Sequence, residues 1–221
     1  MPAVRARAFN ANCKRCPRLV KHLRATKKDH PDFFCQPVAI YGPESAKLLI
    51  VGLAPGQKGA NRTGYPFTGD ASGEWLYKAL YKHGFAVSDD ASGLHPPELI
   101  NCRITNAVKC LPPGNSPTSE ELSNCLGFLK REVSQLEKSG VIFALGSVAH
   151  KTILKTRSLS AKEFPFKHGA RYMIANNLYL VCSYHCSKYN TQTKRLTWEM
   201  FDQVISLLKN TVEITDSTAA Q

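Results

Sequence analysis

The sequence predicts an α/β fold in which helices cover both faces of a mostly parallel sheet. Its 221 residues are 43% hydrophobic and 21% charged, which is the composition of an ordinary globular domain. Short apolar runs alternate along the chain with helical patterns, and this alternation is typical of a parallel sheet. The runs lie near Gly or Asn residues, as buried strands do, and they span residues 48–51, 100–107, 141–145 and 178–182.

The most strongly marked helix begins at Thr118. Thr118 and Glu121 form a capping-box signature, in which each side chain binds the main-chain N–H of the other residue. Apolar residues then fall on one helical stripe, and Gly140 marks its end. The stripe consists of Leu122, Cys125, Leu126, Leu129, Val133 and Leu136.

Three further helical patterns fill the gaps between the strands, at residues 75–80, 147–154 and 196–208. The first is closed by Gly84. In folds of this class, ligands bind at the carboxyl ends of the strands. We therefore expect the functional residues just after residue 51, near Asn106 and just after residue 182.

The chain is strongly basic, with 29 Lys and Arg residues against 17 Asp and Glu residues and a net charge of +12. Such a surface attracts polyanions, and nucleic acid is the leading partner. A solvated basic surface or one that binds anionic lipid are the alternatives. No apolar run is long enough to span a bilayer, and residues 1–7 lack the apolar stretch of a signal peptide, so we expect a cytoplasmic protein without a membrane partner.

Eight cysteines in a reducing compartment indicate a metal or cluster site rather than a disulfide framework. Cys13 and Cys16 form a C-x2-C pair, and Cys110 and Cys125 lie on a predicted strand-to-helix unit. Four thiolates suit an iron–sulfur cluster or a zinc ion, while the alternative is a set of small buried hydrophobic residues. Cys102 and Cys182, which lie in strand-like runs, fit that alternative, and Cys35 competes for a ligand position.

A glycine-rich turn at residues 52–64 follows the first strand and leads to Phe67 and Asp70. The turn matches neither a P-loop nor a dinucleotide-binding fingerprint, although its glycines would let main chain approach a flat ligand. Phe67 could stack on a base and Asp70 could orient water. From the residues alone, a core Phe and a helix-capping Asp are the simpler interpretation.

Taken together, these segments resemble the iron–sulfur branches of the uracil-DNA glycosylase superfamily. Any one motif is weak, but their order and the interleaved cysteines are specific, and the likeness runs from about Cys13 to about Leu208. The residues at 61–64 and 67–70 point to family 5, the type b enzymes, rather than family 4. The three principal motifs lie at residues 52–56, 104–115 and 183–187, the last followed by Asn190, Thr193, Arg195, Leu196 and Thr197.

The resemblance implies a three-layer α/β/α sandwich and a structural [4Fe-4S] cluster. The cluster ligands would be Cys13, Cys16, Cys110 and Cys125. It also implies a monofunctional DNA-repair enzyme that flips uracil out of DNA, hydrolyses the N-glycosidic bond and leaves an abasic site. The substrate set could extend to other deaminated bases such as hypoxanthine and xanthine.

The resemblance also assigns roles within the site. Asp70 would position water and stabilise the oxocarbenium ion, with Asn115 holding the same water. His185 would donate to O2 of the departing uracil. The base would lie among Gly52, Ala54, Phe67 and Asn106, with Phe67 stacked on it and Asn106 paired with its O4 and N3–H edge. The DNA-binding residues would be Arg62, Lys188, Asn190, Lys194 and Arg195, where Lys188 and Lys194 suit phosphate contacts.

The sequence departs from the superfamily pattern at two positions. Ala54 stands where many members carry an Asp or Asn that activates water, so it cannot supply a base. Cys186 stands where the third motif usually has Pro, which leaves the backbone before Ser187 less restricted.

We expect a single domain over residues 1–212 that includes an N-terminal cysteine hook. The small, polar stretch at residues 213–221 is predicted to be a flexible tail. The expected partner is DNA containing uracil or other deaminated bases, bound by a monomer. The competing hypotheses are a non-catalytic nucleic-acid-binding protein with a structural zinc and, on weaker grounds, a member of the superfamily that traps DNA covalently.

Overall fold

A computed structural model describes residues 8–92, 95–136 and 139–219. The expectations for residues 1–7 and for the end of the tail, residues 220–221, lie outside the described residues. Helices and strands alternate as predicted. The elements are α1 (Pro17–Asp29), β1 (Leu48–Gly52), α2 (Ala60–Thr63), α3 (Ala71–Lys82), β2 (Cys102–Asn106), a 3-10 turn (Pro113–Asn115), α4 (Ser119–Ser134), β3 (Gly140–Leu145), α5 (Ser147–Thr156), β4 (Arg171–Ala175), β5 (Leu178–Ser183), α6 (Lys188–Gln192) and α7 (Trp198–Ala219).

The five strands form one sheet in the order β2-β1-β3-β5-β4. All neighbouring pairs are parallel except β4 with β5, so the predicted mostly parallel sheet is confirmed. The register pairs Gly52 with Asn106 and Leu145 with Ser183. The carboxyl ends of β1, β2, β3 and β5 therefore meet at one edge, which we call the carboxyl edge.

Helices cover both faces of the sheet and complete a three-layer α/β/α sandwich. On one face, alternate strand residues such as Ile50 and Phe143 pack against α3 and α7. On the other face, their neighbours in sequence, such as Val51 and Ile142, pack against α4 and α5. This alternation buries both sides of the parallel strands, which explains why β1 and β3 are apolar throughout.

The predicted capping box of α4 is confirmed. The Glu121 main-chain N–H donates to Oγ1 of Thr118 at 3.2 Å, and the Thr118 main-chain N–H donates to Oε2 of Glu121 at 2.8 Å. Glu121 also accepts two hydrogen bonds from the Arg18 guanidinium, both at 2.8 Å. The start of α4 is thereby fixed to α1.

Three features differ from the sequence-based predictions. Helix α1 was not predicted, because only Leu19, Leu23 and Thr26 are buried along it and its N-cap, Cys16, makes no capping hydrogen bond. Strand β4 was not predicted, because it is an exposed edge strand. The stretch that was predicted to be a flexible tail is helical as far as Ala219, because α7 continues to that residue.

Buried threonines explain why α7 extends through a polar stretch. Thr211 and Thr215 are fully buried. Their hydroxyls donate to the carbonyls of Leu207 and Val212, at 2.6 and 2.7 Å, so their polar atoms are satisfied within the helix. None of the helices in the described residues is both long and apolar enough to cross a membrane.

Candidate active site

A cavity of about 400 Å³ opens at the carboxyl edge of the sheet. It brings together residues from the loop after β1, the end of β2, the start of α3 and the segment after β5. Eight of the residues singled out in the sequence line it, namely Ala54, Phe67, Asp70, Asn106, Asn115, His185, Asn190 and Arg195. Gly52, Arg62, Lys188 and Lys194 do not line it.

Gly52 lies behind the cavity wall and makes room for two residues that form it. A β-carbon at Gly52 would lie 2.5 Å from Oδ1 of Asn106 and 2.6 Å from Cε2 of Phe67. Only glycine therefore allows the Phe67 ring and the Asn106 amide to stand side by side. Asn106 is 4% exposed, and its Oδ1 has no hydrogen-bond partner among the described residues. Such an acceptor is available to a ligand.

His185 follows β5 and faces Phe67 across the cavity, with the two rings stacked at a centroid distance of 5.8 Å. Burial lowers the pKa of His185 to about 4, so its imidazole is neutral at pH 7. Its Nδ1 is buried and has no partner within the described part of the chain. The site thus holds two unpaired polar groups, on Asn106 and His185, beside one aromatic ring.

The loop that carries His185 is held by its neighbours. The Asn190 amide donates to the His185 carbonyl at 2.8 Å. The thiol of Cys186, which replaces the usual Pro, is fully buried and donates to the Ser72 carbonyl at 3.4 Å. These contacts tie the His185 loop to the start of α3, so His185 is positioned without the proline ring.

Asp70 caps α3, as the simpler interpretation of the sequence predicts, and it also lines the cavity. Its Oδ1 accepts from the Gly73 main-chain N–H at 3.0 Å. Burial raises the pKa of the Asp70 carboxyl, while hydrogen bonds from the Gly73 and Ser72 main chain act in the opposite direction. The carboxylate is therefore fixed by the helix and partly removed from water.

Asn115 and Ala54 lie at other parts of the cavity wall. Asn115 ends the 3-10 turn with a left-handed φ of 54° and is exposed at the mouth. Ala54 contributes only a methyl group, so Asp70 is the only carboxylate among the residues that line the cavity.

An aromatic stack beside the cavity was not predicted from the sequence. The Tyr184 ring packs on His168 at 5.0 Å, and the Arg195 guanidinium lies over Tyr184 at 4.9 Å. Cation–π contacts of this kind fix a guanidinium without neutralising it. Arg195 belongs to the basic segment after β5, whereas nothing in the sequence links Tyr184 to His168.

The remaining basic candidates lie outside the cavity. Lys188 and Lys194 are exposed on and just after α6. Arg62 lies on α2 and its Nε donates to the Lys58 carbonyl at 2.9 Å.

The four cysteines predicted as ligands line one small cavity between α1, the segment after β2 and α4. Burial raises the pKa of Cys16, Cys110 and Cys125, the last to about 11, and the proximity of the other thiols adds to each shift. Cys102 and Cys182 are buried in β2 and β5, and Cys35 contacts Asn61 instead. Among the described residues, no three His, Cys, Asp or Glu side chains are arranged around a single metal-ion position.

Comparisons with known proteins agree with this geometry. The family model described as the uracil DNA glycosylase superfamily matches residues 39–209. A type-5 uracil-DNA glycosylase of Thermus thermophilus is 40% identical over 200 residues, covering 87% of this chain and 90% of that protein. A type-5 uracil-DNA glycosylase of Pyrobaculum aerophilum is 39% identical over 199 residues, covering 88% and 86%. A type-4 uracil-DNA glycosylase of Pyrobaculum aerophilum is 31% identical over 164 residues, covering 73% and 69%. The chain therefore belongs to the uracil DNA glycosylase superfamily.

Proposed function

We propose that this protein is a type-5 uracil-DNA glycosylase that acts in DNA repair by hydrolysing the bond between uracil and deoxyribose. The observation that carries the proposal is the pair of unpaired buried groups on Asn106 and His185 beside the Phe67 ring. A flipped uracil offers a flat ring and polar edges to such a site. The type-5 relatives support the same activity.

Asn106 and Phe67 select the base. The Asn106 amide can accept from N3–H of uracil and donate to O4, whereas cytosine presents the opposite pattern on that edge. Because Asn106 is buried, a mismatched base would leave its amide unpaired, which costs about 1–3 kcal/mol. Phe67 stacks on the ring and contributes affinity for any planar base.

His185 stabilises the leaving group. Bond cleavage places negative charge on uracil, and a hydrogen bond from the neutral His185 ring to O2 would stabilise that charge. A neutral donor suits this role, since uracil is an acidic base that can depart as an anion.

Asp70 acts at the sugar. The transition state carries positive charge on the deoxyribose, and the fixed carboxylate would stabilise it and orient the attacking water. Asn115 at the mouth would hold the same water. Ala54 takes no part in proton transfer, because a methyl group has no polar atom.

The cavity would also admit other deaminated bases. A volume of about 400 Å³ exceeds that of a pyrimidine ring, and Ala54 adds no bulk. We include hypoxanthine and xanthine among the proposed substrates on this ground.

We propose further that Cys13, Cys16, Cys110 and Cys125 hold a structural [4Fe-4S] cluster. The convergence of the four cysteines on one small cavity supports this fit, because four thiolates are the ligand set of such a cluster. Polar groups already point at two of the sulfurs. The Lys109 main-chain N–H donates to Cys125, and the Asn124 amide donates to Cys16 at 3.6 Å. The cluster would join α1 to α4.

The DNA would lie across the mouth of the cavity. We propose that four cations contact phosphates, namely Arg195, which is held over Tyr184, the exposed Lys188 and Lys194, and the half-buried Arg62. Tyr189 on α6 is 71% exposed, and we propose that its ring enters the space that the flipped base leaves. We propose that the protein acts as a monomer in the cytoplasm.

A glycosylase assay on a duplex with a single uracil, followed by alkali, tests the proposal. We expect strand cleavage at the uracil position only after alkali, and none with cytosine or thymine there. Schiff-base trapping with borohydride should capture no enzyme. Tight binding without cleavage would instead favour the non-catalytic nucleic-acid-binding hypothesis.

A further inference from the structure

Helix α1 and the segment around Cys13 and Cys16 before it carry several cations that have no hydrogen-bond or ion-pair partner among the described residues. Three of their cations have internal partners, since Arg15 donates to the Asn124 carbonyl, Arg18 binds Glu121 and Lys27 binds the Phe33 carbonyl. Others are exposed and make no hydrogen bond or ion pair to the residues that the structure describes. Those on the helix are Lys21, Arg24 and Lys28.

These three cations form a single stripe, which we call the α1 stripe. At 100° per residue, Lys21, Arg24 and Lys28 fall within an arc of about 60°, opposite the buried Leu19 and Leu23. Like charges spaced three and four residues apart destabilise a helix. Since the stripe does not stabilise α1, we attribute its three cations to the binding of a polyanion.

Both ends of α1 are fixed at the carboxyl edge, where the cavity opens. At its start, the Arg18 guanidinium donates to the Ser116 carbonyl at 3.0 Å, directly beside the cavity residue Asn115. Beyond its end, the Phe34 main-chain N–H donates to the Arg62 carbonyl at 3.0 Å. The helix thus runs between two loops that leave the carboxyl ends of β1 and β2.

We infer that the α1 stripe is a second phosphate-binding surface, which contacts duplex DNA flanking the flipped nucleotide. From Lys21 to Lys28 the helix rises about 10 Å, and one DNA strand carries a phosphate about every 3.4 Å along its axis. Three cations therefore match about three phosphates. The inference rests on the proposed function in one respect, namely that the ligand of the neighbouring cavity is DNA.

The test compares two triple variants that lose the same charges. Lys21→Gln/Arg24→Gln/Lys28→Gln removes the stripe. Its control, Arg131→Gln/Lys155→Gln/Lys209→Gln, removes two Lys and one Arg from α4, α5 and α7, at positions toward the amino ends of the strands. Glutamine is a good helix former, so both variants should keep their helices, and thermal unfolding checks this.

Binding to an undamaged fluorescent duplex is measured between 50 and 200 mM salt. The plot of log affinity against log salt should become flatter by about 2 to 3 for the stripe variant, with affinity lower by about 10²-fold or more at the low-salt end. The control variant should keep the wild-type slope. Equal slopes in all three proteins, or equal losses in both variants, would overturn the inference.

Because the duplex contains no damaged base, the salt dependence of binding does not depend on whether the protein excises uracil. If the wild-type protein fails to excise uracil, the proposed function falls, while the salt slopes still decide the role of α1. A second stripe variant with Ala at the same three positions guards against an effect of glutamine itself. Disagreement between the two stripe variants at equal thermal stability would also count against the inference.

Discussion

The carboxylate of Asp70 lies directly against the main chain of Gly59, where a β-carbon would overlap Oδ2 and lie 2.8 Å from Cγ. Gly56 stands on the same side, with its β-carbon position 2.9 Å from Oδ2. The glycine-rich turn after β1 therefore shapes the space in which the Asp70 carboxylate sits. Its glycines leave room for the Asp70 carboxylate. The sequence instead predicts that they let the main chain approach a flat ligand closely.

Gly59→Ala should lower the rate of uracil excision about 10²-fold, because the carboxylate must move away from the sugar. Thermal unfolding of the variant identifies a temperature at which it is folded, so that the loss of rate is separated from any loss of stability. Gly56→Ala serves as a graded control and should lower the rate less. Single-turnover kinetics would contradict this account if Gly59→Ala were as fast as the wild type.

Asp70 and His185 should differ in how their loss depends on the base. Asp70→Ala is expected to slow the excision of every base by a similar factor, because it acts on the sugar cation. His185→Ala should slow uracil most and 5-fluorouracil, which leaves more readily, least. Each loss should reach about 10²-fold, or roughly 3 kcal/mol.

Single-turnover rates on uracil, 5-fluorouracil and hypoxanthine measure this difference, and Asp70→Asn separates the two parts of the Asp70 role. Asparagine can still cap α3, so its stability should resemble the wild type while its rate is low. Wild-type rates on all three bases in Asp70→Ala would leave Asp70 as a helix cap and make Asn115 the leading candidate for the water.

The lowered pKa of His185 predicts a specific dependence on pH. With a native pKa of about 4 against an ordinary value of 6.5, the single-turnover rate should show no His185 titration between pH 8 and 6. Below pH 6.5 the unfolded chain binds a proton that the native ring does not, so the native state loses stability as the pH falls toward 4.

Urea unfolding at pH 7.5 and 5.5 checks the second part. The free energy of unfolding should fall less over this range in His185→Gln than in the wild type. An equal fall in both proteins would show that His185 titrates near its ordinary value.

The proposed cluster predicts a clear contrast between cysteines. Cys110→Ala should lose the absorbance near 400 nm and most of the iron, and its solubility should fall. Cys35 is also buried but accepts a hydrogen bond from the Asn61 amide, so Cys35→Ala should keep both the absorbance and the iron. Iron analysis of the purified variants decides the matter, and full iron content in Cys110→Ala would remove Cys110 from the ligand set.

The parts of the fold that the sequence predicts well are those in which one local signal dominates. The Thr118 capping box and the fully apolar strands β1, β3 and β5 are of this kind, since buried parallel strands have no polar face to blur the pattern. Strand β4 carries mostly exposed residues, and the end of α7 depends on buried threonines. Long-range packing decides both, so local patterns could not predict them.

The candidate site was predictable to a different degree. The rule for carboxyl ends of strands places the loop after β1, Asn106 and the segment after β5 together without any family knowledge. The roles of Asp70 and His185 came from the resemblance. The stack of His168, Tyr184 and Arg195 joins two segments through tertiary contact alone, and no spacing in the sequence announces it.

The ion pair between Arg18 and Glu121 bridges 103 residues of sequence, and this separation affects how the protein is made. A ribosome adds about 5–20 residues per second, so Glu121 is joined to the chain about 5–20 seconds after Arg18. Throughout that interval α1 exists without its partner helix, with Leu19, Leu23 and two thiols open to solvent. Helix α1 therefore waits for its packing partner while nearly half of the chain is made.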